Sequence, residues 1–306
     1  MKMAEYAPII VFAYNRAVHL EKTIKSLEAA QGAEKTDLYI WCDGSKSDAD
    51  VAKVNDVRKY VYFYKTVSRF HVVNIHENSM NIGLADSIIE GVSTILENYD
   101  RVIVIEDDMI VSKDFIEYMN GALDFYQGNE EIFSVGGWAP DLTVLKDYDK
   151  DVFFSKRFEC WGWAIWKERW STIIWNYERY LKAGKSEKKA LSVAGRDIVR
   201  MLNSYLKREI DSWAICVACH LIWIDKYTVV PSRSKIRNIG LDGSGTNCNV
   251  KMTYSAVSSA KVDFIPCYYD DMLNTRLWLY YSYGRDCEKL SLIDKMRYSL
   301  HRLKIL

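Results

Sequence analysis

Residues 101–108 read RVIVIEDD, an apolar run that ends on three consecutive carboxylates, Glu106, Asp107 and Asp108. Like charges on neighbouring residues repel, so the triplet calls either for solvent or for something positive. Adjacent hard carboxylates at a strand end suit Mg2+ or Mn2+, which prefer oxygen ligands and keep waters and phosphate oxygens in their shell. The bland reading is a solvated acidic turn or a helix cap. Ser112 already offers a cap shortly afterwards, so capping does not require the triplet.

Further chemistry-bearing residues follow other apolar runs. Asn15-Arg16 comes after PIIVFAY (8–14), and Asp43-Gly44-Ser45 comes after the strand pattern 38–42. Asn78–Leu84 (NSMNIGL) opens a helical pattern; Asn81 reads equally as a ligand-side residue or as a plain helix cap. The stretch 232–249, SRSKIRNIGLDGSGTNCN, is rich in glycine, serine and base in a chain that otherwise uses glycine sparingly. It suits a loop closing over a diphosphate through Arg233, Lys235 or Arg237. Glu209-Ile210-Asp211-Ser212-Trp213 offers carboxylates ahead of the long apolar run 213–224, with an N-cap as the competing role for Asp211. Trp161, Trp163 and Trp166 in CWGWAIW read as core, although flat rings beside Gly162 would also make sugar platforms.

The elements that must position these residues alternate. Strands are expected at 8–14, 38–42, 69–76 and 101–105, and helices at 17–30, 48–64, from Leu84 to Leu96 and from Ser112 to 126. Such alternation predicts an α/β fold, a mostly parallel sheet flanked by helices, with ligands at the carboxyl ends of the strands. Arg16, Asp43 and the triplet all fall at such ends. The second half is tryptophan-rich and less periodic, and reads as an elaboration around the same site. The expected division is 1–135 for the first half of the domain, 136–260 for the second half of the same domain, and 261–306 for a helical tail.

With 306 residues, Lys+Arg and Asp+Glu both 41, charge gives no sign of nucleic acid as a partner. Seven scattered cysteines suggest reduced thiols and a cytoplasmic setting, and no signal peptide is visible. Cys216-Val-Ala-Cys219-His220 matches a haem-attachment pattern but lies inside an apolar run, so packed thiols are expected. The end is amphipathic, with Leu292, Ile293, Met296, Leu300 and Leu303 on one face. From Lys289 onward it carries five Lys/Arg and one acid, which suits peripheral attachment of 289–306 to an anionic membrane as well as docking on the protein's own body.

VIEDDMIVSKDFIEYM resembles the metal-binding segment of GT-A-fold (Rossmann-like) nucleotide-sugar glycosyltransferases, most of all the N-acetylglucosaminyltransferase I group and its bacterial relatives in polysaccharide gene clusters. IIVFAYNR, WCDGS, FECWGWAIWKERW and NIGLDGSGTN match the same group in the same order, over roughly 8–250. The resemblance implies that Asp108 holds Mn2+ or Mg2+ and bridges it to the donor diphosphate. By the same likeness Asp107 and Glu106 contact ribose, sugar or metal-bound water, Asp43 accepts from uracil N3–H, and Arg16 contacts the nucleotide or its phosphates. The group's catalytic base lies in a WDDW-like segment whose best match here is 209–213. That makes Asp211 the expected base, with Glu209 as fallback and Glu159 more remote. Many bacterial relatives carry histidine near Asn247, a departure in this chain. The expectation is an inverting glycosyltransferase moving a hexose or N-acetylhexosamine from a UDP-sugar to a saccharide or lipid-linked saccharide in bacterial surface polysaccharide synthesis. An inactive nucleotide- or sugar-binding relative is the alternative. A sugar nucleotidyltransferase is less favoured, because FAYNRAVHL is not a glycine-rich phosphate loop.

Overall fold

The computed structural model describes residues 6–242, 257–284, 286 and 291–302. Asn247, the second half of the glycine-rich loop, and the tail positions 289–290 and 303–306 lie outside the described residues. The strands are β1 Ile9–Ala13, β2 Asp37–Cys42, β3 Val72–Glu77, β4 Arg101–Glu106, β5 Met109–Val111, β6 Ile132–Gly136, β7 Val152–Ser155, β8 Trp163–Trp166, β9 Tyr227–Pro231 and β10 Ile236–Asn238. Four helices serve the first half: α1 Ala17–Glu28, α2 Asp48–Val67, α3 Leu84–Asn98 and α4 Phe115–Tyr126. Among the described residues one sheet of eight strands runs in the order β3-β2-β1-β4-β8-β6-β9-β7, and β5 and β10 form a separate ribbon.

The contiguous set β3-β2-β1-β4 is parallel, as alternation requires. Beyond it the sheet is mixed, because β8 runs antiparallel to both β4 and β6. Strand β6 straddles the expected 135/136 division, so the two halves share one sheet.

Apolar runs without alternation belong to strands covered on both faces. In β1, Ile9, Val11 and Ala13 pack in one cluster with Leu20, Ile24 and Leu27 of α1, Val57 and Val61 of α2, and Phe115 and Met119 of α4. Ile10 and Phe12 face the other cluster, with Ala85, Ile88 and Val92 of α3 and the helix Trp213–Trp223. Val102, Ile103, Val104 and Ile105 are likewise split between the two. At roughly 1.5–3 kcal/mol per buried apolar side chain, these four outweigh the few kcal/mol of repulsion that neighbouring carboxylates generate at a partly wet strand end. Packing therefore fixes where the triplet sits.

One expected boundary moves. Residues 109–111 form β5 against β10, and the Ser112 N–H donates to the Lys235 carbonyl, so α4 starts at Phe115 with Asp114 at its N-cap. Ser112 instead donates its hydroxyl to Asp114 Oδ1 at 2.6 Å. Cys216 and Cys219 are buried core thiols, and His220 Nε2 meets the Thr172 hydroxyl at 2.9 Å. The helix Asp271–Tyr283 packs Leu273 and Leu277 onto Ala139, Leu142, Phe153 and Val230. No helix among the described residues is long and apolar enough to cross a membrane.

Candidate active site

Glu106 ends β4, and Asp107 and Asp108 form the turn to β5. Phe12 is in register with Glu106, and Ala13 with Cys42, so the segment after β1, the turn after β2 and the triplet share one edge of the sheet. The turn's backbone is fixed from α1: Thr23 Oγ1 donates to the Asp107 carbonyl at 2.7 Å and accepts from the Met109 N–H at 3.0 Å.

The positive partner within the chain is Arg16. Its guanidinium donates to Asp107 Oδ1 and, at 3.0 Å, to Asp108 Oδ2. Burial works against the guanidinium charge, but the two aspartates hold it above its ordinary value. Burial pushes Asp107 up to about 6 against the pull of Arg16. Burial, with Asp108 and Asp107 adding like charge, pushes Glu106 up to about 8. Arg16 is thus engaged with the acids, whereas the resemblance implied nucleotide or phosphate as its partner. Asp108 Oδ1 differs from the other oxygens, being buried without a hydrogen-bond partner.

Asp43 is 6% exposed and accepts five hydrogen bonds. Oδ1 takes the Gly44 N–H at 2.9 Å, Asn78 Nδ2 at 3.2 Å and the Ile82 N–H at 3.0 Å. Oδ2 takes Asn81 Nδ2 at 2.7 Å and the Gly83 N–H at 3.0 Å. Its carboxylate thereby holds the loop 78–83. Asn81 is no helix cap: Gly83, at φ 87°, occupies that position, and the Asn81 amide goes to Asp43 and the Gly44 carbonyl. A Cβ on Gly44 would lie 2.3 Å from the Met80 carbonyl carbon, so only glycine lets the two turns meet.

Asp211 comes to this loop from the far half of the chain. A Cβ built on Gly83 would lie 3.9 Å from Asp211 Oδ2. The carboxylate is exposed, and among the described residues no hydrogen bond or ion pair engages it. Ser212 occupies the N-cap position of the following helix, so the capping role weighed for Asp211 is not what the structure shows. Two residues on, Trp213 stacks on Trp163 with centroids 5.2 Å apart, and Phe158 packs edge-on to both. The aromatic cluster is the anchor that sets Asp211 beside Gly83. Glu209 is turned toward the preceding helix, accepting from the Ser204 hydroxyl at 2.8 Å.

That packing corrects the sugar-platform expectation for Trp163, which is 1% exposed inside the core. Trp161 is half-buried, edge-on to Trp138 at 4.9 Å. Trp163 pairs with Val104, so the antiparallel course of β8 brings Trp161 level with Glu106. Lys235 is also corrected. It is buried and bonded to Asp114 Oδ2 and the Ala260 carbonyl, which commits it to holding the base of α4. Arg237 is half-buried on β10 opposite Ile110, and Arg233 is exposed. Glu159 lies in a buried polar group. Its Oε1 accepts from the Tyr281 hydroxyl at 2.9 Å, Arg157 stands 3.8 Å away, and Arg157 forks onto Asp197 at 3.1 and 2.7 Å.

Three features escaped the sequence reading. Thr23 sits on the buried face of α1 among Leu20, Ile24 and Leu27, where a polar residue is itself a signal. Trp213 acts as the anchor of Asp211. The tetrapeptide Asn-Ile-Gly-Leu occurs twice, at 81–84 and 238–241. The first copy wraps Asp43. In the second, the Ile239 N–H donates to the Asp108 carbonyl at 2.7 Å, and Asn238 Oδ1 takes the Gly240 N–H at 2.6 Å.

Among the described residues no three histidine, cysteine, aspartate or glutamate side chains converge as a ready metal cage. A Mg2+ or Mn2+ that keeps waters and takes phosphate oxygens needs only one or two protein carboxylates. The unpartnered, buried Asp108 Oδ1 fits that requirement.

The GNT-I family model matches residues 1–180. An alpha-1,3-mannosyl-glycoprotein 2-beta-N-acetylglucosaminyltransferase of Arabidopsis thaliana is 25% identical over 176 residues, 55% of this chain and 39% of that relative. The chain thus spans well under half the length of this relative. Among solved structures, S. aureus TarS 1–349 is similar at TM-score 0.45 and 10% identity, covering 98% of this chain and 70% of that one. GalNAc-T7, solved with UDP, GalNAc and Mn2+, is similar at TM-score 0.44 and 10% identity over 74% of this chain and 42% of that one. With more than half of its length matched, from β1 through the triplet and the tryptophan-rich strand, the chain belongs to the GNT-I family.

Proposed function

We propose that the protein is a metal-dependent, inverting glycosyltransferase that moves a hexose or N-acetylhexosamine from a UDP-sugar to a saccharide or lipid-linked saccharide hydroxyl. The observation that carries this reading is the placement of Asp211. An exposed, unengaged carboxylate stands against the loop that Asp43 holds, at the same sheet edge as a buried acid with an orphan oxygen. The relative's name supports N-acetylglucosamine as the first donor sugar to test.

Asp211 accepts the proton of the acceptor hydroxyl as that oxygen bonds to the anomeric carbon, and the bond to the nucleoside diphosphate breaks on the opposite side of the sugar. One displacement of this kind inverts the anomeric centre. Asp108 Oδ1 would hold the divalent ion, which, when bound, neutralises charge on the departing diphosphate as a Lewis acid. Arg16 supplies the fixed positive charge that keeps Asp107 and Asp108 together. Asp43 orders the turn and the loop 78–83, whose backbone lines the nucleotide side. Trp161 and Trp138 offer the aromatic wall for the acceptor. Arg233 and Arg237 lie in the segment that would close over the diphosphate.

The setting that fits is cytoplasmic assembly of capsule or other bacterial surface polysaccharide. The buried free thiols Cys42, Cys216 and Cys219 and the resemblance to polysaccharide-cluster enzymes support it. The reading is tested by incubating the protein with UDP-GlcNAc, UDP-galactose and UDP-glucose in Mn2+, with and without saccharide acceptors, and measuring released UDP. Release that disappears in Asp211→Asn supports it. No release from any donor, or undiminished release in that variant, contradicts it.

A further inference from the structure

The helix Leu292–Arg302 has two opposite faces in use. It begins with a capping box: the Asp294 N–H donates to Ser291 Oγ at 3.1 Å, and the Ser291 N–H donates to Asp294 Oδ2 at 3.3 Å. Asp294 and Tyr298 are each 3% exposed, and Tyr298 packs against Trp278 and bonds Tyr269 through its hydroxyl. The inward face of this amphipathic helix is therefore built from an acid and a tyrosine. Leu292, Ile293 and Met296 point away, 77%, 62% and 58% exposed, with Leu300 half-buried beside them.

At about 100° per residue, Leu292, Met296, Leu300 and Ile293 fill one arc of about 100°, and Asp294 and Tyr298 lie on the opposite side. Lys295 and Arg297, both exposed, flank the apolar arc on its two sides. Helices that dock on a protein body bury their apolar stripe. This one docks by its polar side and presents the stripe outward between cations, the pattern of a helix lying in the plane of a lipid interface.

We propose that the outward face of Leu292–Arg302 is a docking surface for an anionic lipid bilayer. Its apolar residues enter the headgroup boundary, and Lys295 and Arg297 meet lipid phosphates. The inference is independent of the glycosyltransferase reading, since no residue of the donor site takes part.

The test is flotation of the full chain with phosphatidylcholine vesicles, with and without one-third phosphatidylglycerol. Wild type should float with the anionic vesicles and stay behind with neutral ones, and about 0.5 M salt should weaken the binding. Ile293→Ser/Met296→Ser and Lys295→Glu/Arg297→Glu should each weaken it at least about tenfold. Both pairs are exposed, so melting temperature and UDP binding should stay unchanged, which separates this test from that of the active site. Absence of flotation, or equal flotation of the Ile293/Met296 variant, overturns the proposal. So does light scattering that shows a wild-type dimer which the same variant converts to a monomer, because the face would then be covered by a second copy.

Discussion

Gly240 stands directly against Asp108: a Cβ on it would lie 2.0 Å from Oδ2 and 2.9 Å from Arg16 Nη1. No side chain fits without pushing the carboxylate off its place. Gly240→Ala should therefore weaken Mn2+-dependent UDP binding about tenfold or more, since small displacements at a site of this kind are costly. Circular dichroism of the variant should match wild type. Equal affinity in the two proteins would show that this contact does not position Asp108.

Asp108→Asn removes one acid from a crowded turn and leaves Arg16 with Asp107. Its melting temperature should hold within a few degrees. UDP affinity and the response of that affinity to EDTA should fall together, because Asp108 Oδ1 is the buried oxygen left for a metal. Wild-type metal dependence in the variant would remove Asp108 from ion binding.

Asp211→Asn should cost about 10²–10⁴-fold in transfer, the usual span for a general base. UDP binding should change less than about twofold, since the side chain bonds to nothing that holds the loop. A parallel loss of UDP affinity would make Asp211 a donor-binding residue and reopen Glu209 and Glu159 as bases.

Asp43→Asn replaces an acceptor of five hydrogen bonds with an amide that offers one carbonyl oxygen. Leaving the Ile82 or Gly83 N–H unpaired costs roughly 1–3 kcal/mol each. Both stability and UDP affinity should drop. Denaturant unfolding checks the first and titration calorimetry the second. Loss of affinity without loss of stability would mean that Asp43 acts on the nucleotide directly.

Glu159 supplies a pH prediction. Burial pushes its carboxyl up to about 7 despite Arg157 and the Tyr281 hydroxyl. A carboxyl raised on folding stabilises the protein below its ordinary range near 4.5 and loses that contribution as pH climbs through about 7. Glu159→Gln carries no such titration. Its stability relative to wild type should rise between pH 5 and pH 8 by at most about 3 kcal/mol, measured by denaturant unfolding. A pH-independent difference would place the Glu159 carboxyl in its ordinary range.

The parallel half of the fold was legible because its signals are local. Unbroken apolar runs marked β1 and β4, the 3.6-residue stripe marked α3, and turn or acid residues marked the strand ends. The placement of β8 was not legible, since an antiparallel insertion is decided by non-local pairing of short segments. The pairing of β5 with β10 was hidden for the same reason, and it shifted the start of α4. In the site, Asp43, Arg16 and the triplet stood out as polar residues ending buried strands. Their partners did not. That Arg16 bridges Asp107 and Asp108, that Asp43 is spent on loop 78–83, and that Trp163 anchors Trp213 are all facts of packing between distant segments. Only the doubled Asn-Ile-Gly-Leu and the lone Thr23 on an apolar face left traces in the sequence.

If the acidic turn after β4 and the Asp43 loop form a metal-dependent nucleotide site, nucleotide binding must require a divalent ion. Calorimetric titration of the protein with UDP, GDP, CDP and dTDP, each in Mn2+ and in EDTA, tests it most directly. UDP should bind in Mn2+, that binding should be lost in EDTA, and the other three should bind weakly or not at all. Absence of binding to every nucleotide, or binding indifferent to EDTA, would contradict it.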